Sequence, residues 1–234
     1  MRAFRSLQAQ TFRDWEYIIV DDGSTDNSAQ IIAETPDPRL KTVVRTANRG
    51  AGAALNVGVE RATGRYLAFL DADDEFLPAH LEAHVALMEN EPGIDMLWGG
   101  IDLIVKDEDQ SWVPDVLRGY GFIHVSDCVV QGTFFVRRRV FDSVRYTEDR
   151  SVWYQDFEFF KRVESASFKC QRFPLPTYRY YRDTGGSQVD RVKASWPDRA
   201  PGEGPDPASW RASPQAAPPS PHAMPRVLGR PINS

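Results

Sequence analysis

Up to Asn90 the chain alternates short, unbroken apolar runs with stretches of helical periodicity, and this alternation constrains the fold more than any other feature. It predicts strands at Glu16–Val20, Thr42–Val44 and Tyr66–Leu70. Helices are expected through Ala29–Glu34, over Ala51–Thr63 and from Pro78 to Asn90, with Pro78 suited to a first helical turn. Strands that are apolar throughout, rather than at every second residue, belong to a parallel sheet covered on both faces. The expected class is therefore α/β with a mostly parallel sheet. Ligands of such sheets bind beyond the carboxyl ends of the strands. Two acidic runs, Asp21-Asp22 and Asp71-Ala72-Asp73-Asp74, fall at those ends.

Of 234 residues, 41% are hydrophobic and 12% aromatic, enough for a packed core. The formal net charge of −5 offers no basic face, so nucleic acid is not an expected partner. Cys128 and Cys170 lack the close spacing of a disulfide framework or zinc site and read as buried apolar residues in a reducing compartment. No apolar run reaches the length of a transmembrane helix, and no signal-peptide pattern opens the chain. The default expectation is a cytoplasmic protein, free or peripheral at the inner membrane face.

Composition changes near Arg191, where Pro, Ala, Ser and Gly replace apolar periodicity. Residues 191–234 are expected to form a Pro-rich disordered tail after a domain over residues 1–190, because such a stretch buries too little to offset its ordering entropy. Met1 to Gln10 reads as the back half of a helix with no strand before it. A doubly wound fold normally has one there, so the sheet is expected to lack its first strand.

In extended chain, residues two apart face the same side, so Asp71 and Asp73 can present their carboxylates together. Paired hard oxygens suit Mg2+ or Mn2+, with a bound diphosphate completing the shell. An EF-hand reading fails because the position that must be Gly is Phe76, and a solvated acidic turn is the plain alternative. Asp22 either shapes a tight turn or accepts hydrogen bonds from a base or ribose. The run Arg49-Gly50-Ala51-Gly52-Ala53-Ala54-Leu55 opens the second helix and carries Leu55 where a third small residue belongs, which argues against a dinucleotide site. His80 and His84, one turn apart in His-Leu-Glu-Ala-His, read as a solvated face rather than metal ligands. Asp156, beside Trp153, Tyr154 and Phe157, reads as a helix N-terminal acid or as a general base near sugar-stacking aromatics.

In this order the clusters resemble the family 2 glycosyltransferases. The matching stretches are Ser6-Leu7-Gln8-Ala9-Gln10-Thr11-Phe12 and Val20-Asp21-Asp22-Gly23-Ser24-Thr25-Asp26, followed by Asn48-Arg49-Gly50 to Gly58. Phe69-Leu70-Asp71-Ala72-Asp73-Asp74, Leu77-Pro78 and Gln155-Asp156 continue the series, and the likeness spans about residues 1–185. The resemblance implies a GT-A type fold and an inverting transfer from a nucleotide-diphosphate sugar to a glycan, lipid-linked or other hydroxyl acceptor. It implies Asp22, Asn48, Asn56 and Asp71 as nucleotide-sugar contacts, Asp71 and Asp73 as ligands of a divalent cation, Mg2+ or Mn2+, and Asp156 as the catalytic base. Tyr180-Tyr181-Arg182 resembles a late strand after which many members place a metal-proximal His, a position held here by Asp183 and Thr184. A catalytically impaired remnant that binds nucleotide or a partner protein is the rival reading.

Overall fold

A computed structural model of the protein describes residues 2–35, 37–45, 47–183 and 188–197. In chain order the elements are α1 (Arg2–Gln8), β1 (Tyr17–Asp22), α2 (Ser28–Ala33), β2 (Leu40–Arg45), α3 (Ala51–Arg61) and β3 (Tyr66–Ala68). Next come β4 (Glu75–Phe76), α4 (His80–Asn90), β5 (Met96–Trp98), β6 (Ile101–Ile104), β7 (Trp112–Pro114) and β8 (Phe122–His124). The last are β9 (Phe135–Arg137), α5 (Gln155–Ser165), β10 (Cys170–Arg172), β11 (Tyr178–Tyr181) and α6 (Gln188–Lys193). Every element expected before Asn90 is present, with ends displaced by one or two residues, the usual fraying of helix and strand boundaries.

The sheet is mixed. Parallel pairing joins β1 to β2, with Tyr17 opposite Leu40, and also β5 to β10 and β6 to β11. β9, however, runs antiparallel to both β3 and β5, within the order β10-β5-β9-β3. A second sheet, β4-β11-β6, carries Tyr178 opposite both Phe76 and Ile101, and β7 pairs with β8. The short β4 is thus the link that ties the acidic run after β3 to β11. Among the described residues β1 and β3 each have a single strand partner.

Two clusters make the core. One gathers Phe159, Phe160 and Val163 of α5 against Phe134, Val136, Val140, Phe141 and Tyr146. Helical spacing places those three α5 residues on one face, and burying each such side chain contributes roughly 1.5–3 kcal/mol. The other cluster joins Leu81 and Met88 of α4 to Phe76, Leu97, Phe173 and Tyr178. α1 docks beside it through buried Ala3, Phe4 and Leu7. Buried Gln10 then donates to the Leu77 carbonyl at 2.9 Å and accepts from the Leu81 amide at 3.0 Å, fixing the start of α4.

The solvated face expected at His80 and His84 is instead core. Both imidazoles are buried, His80 stacked on Phe76 at 3.8 Å and His84 on Phe173 at 3.8 Å. Aromatic rings on three neighbouring elements make these histidines a packing surface. Burial holds both rings below the usual imidazole range, His84 at about 4.

Residues 188–193 form α6 across the boundary expected at 191, and the chain beyond it still has partners. Trp196 meets Trp153 edge-on with centroids 5.8 Å apart, and the Pro197 carbonyl accepts from the Gly121 amide at 2.8 Å. The rest of the expected tail lies outside the described residues.

Candidate active site

The acidic run after β3 turns sharply, with the Asp74 amide donating to the Asp71 carbonyl at 3.1 Å. That turn separates its three carboxylates by environment. Asp71 and Asp73 are exposed, whereas Asp74 is only 1% exposed. Among the described residues neither the Asp71 nor the Asp73 carboxylate takes part in a hydrogen bond or ion pair. The Asp71 carboxyl remains open to water yet is surrounded by protein mass. That burial, with the charges of Asp74, Asp73 and Asp156, pushes it up to about 7.

Asp156 joins this cluster from the first turn of α5. Its Oδ1 accepts from the Phe157 amide at 2.8 Å, and backbone groups of Phe157, Asp156 and Gln131 work to lower the carboxyl. Burial outweighs these bonds and raises the carboxyl to about 6. Tyr146 lies beside both Asp71 and Asp156, which with burial raise its phenol well above its ordinary range. Its ring stacks on Phe159 at 4.1 Å, and among the described residues its buried hydroxyl has no hydrogen-bond partner.

The other expected contacts gather around the segment that follows Tyr146. Asp22, at the end of β1, accepts from the Arg49 amide at 3.0 Å through Oδ1 and from the Gly50 amide at 2.6 Å through Oδ2. It thereby holds the turn that carries exposed Asn48 and leads into α3. Asn48 offers its carbonyl to Arg150 Nη1 at 3.4 Å. Asn56 has a different place. It is buried on α3, donating to the Tyr146 carbonyl at 3.0 Å and to Glu148 Oε1 at 3.3 Å while accepting from the Tyr146 amide at 2.9 Å. With both amide hydrogens and the oxygen engaged, Asn56 is a brace between α3 and the 146–148 segment.

The charges of Asp73, Asp74 and Asp156 therefore all act on Asp71, and Asp22 holds a separate turn before α3. Residue pattern alone did not reveal Asp74, Tyr146 or Tyr178 as members of this arrangement. Asp74 is indistinguishable from Asp73 in the sequence, and the two tyrosines are set by β11 and by the 140–146 segment packing inward. Cys128 and Cys170 are half-buried free thiols, both pushed up to about 12, first by burial. Among the described residues no three of His, Cys, Asp and Glu converge to hold a metal ion by themselves.

The α/β body of this chain is one that solved structures share. TarS of S. aureus, solved with UDP, superposes with a TM-score of 0.60 at 19% identity, over 77% of this chain and 55% of that one. The mannosyltransferase PcManGT of Pyrobaculum calidifontis, solved with GDP-Man and Mn2+, gives 0.60 at 19% identity, over 82% and 55%. These likenesses fix the fold as GT-A type.

The family follows from sequence: the model of glycosyl transferase family 2 matches residues 1–160, and the chain belongs to that family. AmsB, an amylovoran biosynthesis glycosyltransferase of Erwinia amylovora, is 29% identical over 204 residues, 78% of this chain and 65% of its own length. YibD of Escherichia coli, an uncharacterized glycosyltransferase, is 40% identical over 134 residues, 54% of this chain. The chain spans 38% of YibD and 39% of WfgD, a glucosyltransferase of the same species. No described helix is long and apolar enough to cross a membrane.

Proposed function

We propose that the chain holds the donor-binding and catalytic machinery of an inverting, metal-dependent glycosyltransferase. It would move a sugar from a nucleotide-diphosphate sugar to a glycan, lipid-linked or other hydroxyl acceptor. The observation that carries this reading is the gathering of Asp74, Asp73 and Asp156 about Asp71, whose carboxyl is raised to about 7 first by burial and then by those three charges. Such a cluster favours a cation.

Asp71 and Asp73 fit a hard divalent ion, because both are exposed carboxylates that no described side chain neutralises. Two protein ligands leave most of a six-oxygen shell to donor phosphate and water. Mg2+ or Mn2+ held there would neutralise charge on the leaving diphosphate. Asp22 and Asn48, joined through the turn that Asp22 holds, would border the nucleoside side. Asn56 acts behind them by bracing the 146–148 segment.

Asp156 receives the proton of the acceptor hydroxyl. A carboxyl at about 6 is ionised at neutral pH yet basic enough to assist the attack. The acceptor oxygen bonds to the anomeric carbon as the bond to the diphosphate oxygen breaks, and the configuration inverts.

Calorimetric titration of UDP and GDP, with Mn2+ and with EDTA, tests the site, followed by sugar release from a panel of nucleotide sugars. Asp73→Asn is expected to abolish metal-dependent nucleotide binding while the thermal midpoint stays near wild type. Undiminished Mn2+-dependent binding by that variant would overturn the assignment. Tight binding by the wild type without any transfer would select the rival reading, a nucleotide-binding remnant.

A further inference from the structure

The fourth carboxylate of the cluster faces inward. Asp74 Oδ2 accepts a hydrogen bond from the Tyr178 hydroxyl, and Asp74 Oδ1 accepts from the Tyr181 amide at 2.8 Å. Two donors thus aim at two oxygens. A carboxylate satisfies both, whereas an amide side chain would set its own N–H group against one of them. Tyr178 itself is fully buried, its ring edge-on to Phe76 at 5.9 Å.

The same phenol reaches the other half of the site. A Cβ on Gly132 would fall inside the Tyr178 ring, so the ring lies directly against the backbone of that turn. Gly132 is the middle residue of the 3-10 turn Gln131–Thr133. Thr133 Oγ1 accepts from the Gly99 amide at 2.9 Å and holds that turn against the segment following β5. The residue before Gly132, Gln131, comes near Asp156, and its backbone helps to hold that carboxyl down against burial. A path therefore runs from the Asp71–Asp74 turn, through contacts of Tyr178 with Asp74 and Gly132, to Gln131 and its influence on Asp156.

We propose that Asp74 and Tyr178 are positioning residues which set the separation between the exposed carboxylates, Asp71 and Asp73, and the base, Asp156. This inference rests on the roles assigned to those three residues above. Asp74 anchors the turn after β3 to β11. Tyr178 carries that anchor across to Gly132 and Gln131. Neither touches the substrate, and both act through the groups that do. The brace accounts for an ionisable residue kept in the interior immediately after two exposed ones.

Two measurements test it. Tyr178→Phe keeps the ring edge against Gly132 and removes the hydroxyl, with its bond to Asp74 and its own packing on Gly132. Its kcat is expected to fall on the order of 10- to 100-fold with little change in donor KM, as for a small misplacement of reacting groups. The acid limb of its pH profile should shift as well. Val140→Ala, a core variant away from the path, serves as the control for destabilisation and should leave the acid limb in place. Carboxyl 13C titration of Asp156 in wild type and Tyr178→Phe reads the brace without turnover, and its midpoint is expected to move. Superimposable Asp156 titrations, or kcat and pH profile in Tyr178→Phe matching Val140→Ala, would overturn the proposal. A shifted titration in a chain that never transfers sugar would sink the enzymatic reading and leave the brace standing.

Discussion

Replacing Asp156 by Asn should make the protein more stable at pH 8 and no more stable at pH 4. Burial raises this carboxyl from 3.8 to about 6 in the folded chain. Below pH 3.8 both folded and unfolded chains keep the proton, and the residue favours neither. Between 3.8 and about 6 the unfolded chain releases a proton that the folded chain retains, so stability falls as pH rises. Above 6 the loss is complete and constant. At 1.36 kcal/mol per pKa unit the full cost is about 3 kcal/mol, which partial exposure to water reduces to roughly 1–2 kcal/mol. Asn is nearly isosteric, and its Oδ1 can still accept from the Phe157 amide. Urea denaturation followed by tryptophan fluorescence at both pH values measures the difference directly. Asp156→Asn should gain that amount at pH 8 and lose sugar transfer. An equal difference at the two pH values, or a less stable variant at pH 8, would refute the idea that desolvation dominates at Asp156.

Two further outcomes follow from the core. His84 is held at about 4 by burial, so the unfolded chain takes up a proton that the folded chain refuses as pH falls from 6.5, and stability declines across that window. His84→Leu should flatten the decline, as read from denaturation midpoints between pH 7 and pH 4.5. Phe159, fully buried and stacked on Tyr146 and Phe141, should cost about 3–5 kcal/mol when changed to Ala, as measured by equilibrium unfolding.

The alternation of apolar runs and helical periods was sufficient to place six elements before Asn90, because local periodicity and burial agree there. β9 was not legible. Phe135–Arg137 is three residues long, followed by more arginine, and its antiparallel course is set by contacts with β3 and β5 that are distant in sequence. Asp71 and Asp73 were expected to share a side of extended chain, but β3 stops at Ala68 and both carboxylates lie in the turn that follows. Asp74 was not legible, since only the crossing of β11 makes it interior. Asn56 was read as a ligand contact, yet the face of α3 that bears it is turned inward with Gly52, Ala53 and Val59. The histidines of α4 misled for the opposite reason: a polar residue type conceals burial when its neighbours are aromatic rings.

α3 meets the 146–148 segment without a side chain between them at Gly52, where a Cβ would overlap the Thr147 carbonyl. One turn further on, Asn56 takes up the Tyr146 amide and carbonyl in the manner of a neighbouring strand. A side-chain amide thus completes a ladder that backbone alone does not provide. Opening this contact exposes both backbone groups of Tyr146 at once, so the helix and the segment are expected to exchange with solvent as one cooperative unit rather than by fraying. Slow hydrogen exchange is therefore the expected outcome beside Glu148 and Arg150, where a loop of polar residues would otherwise be among the first parts of the molecule to loosen.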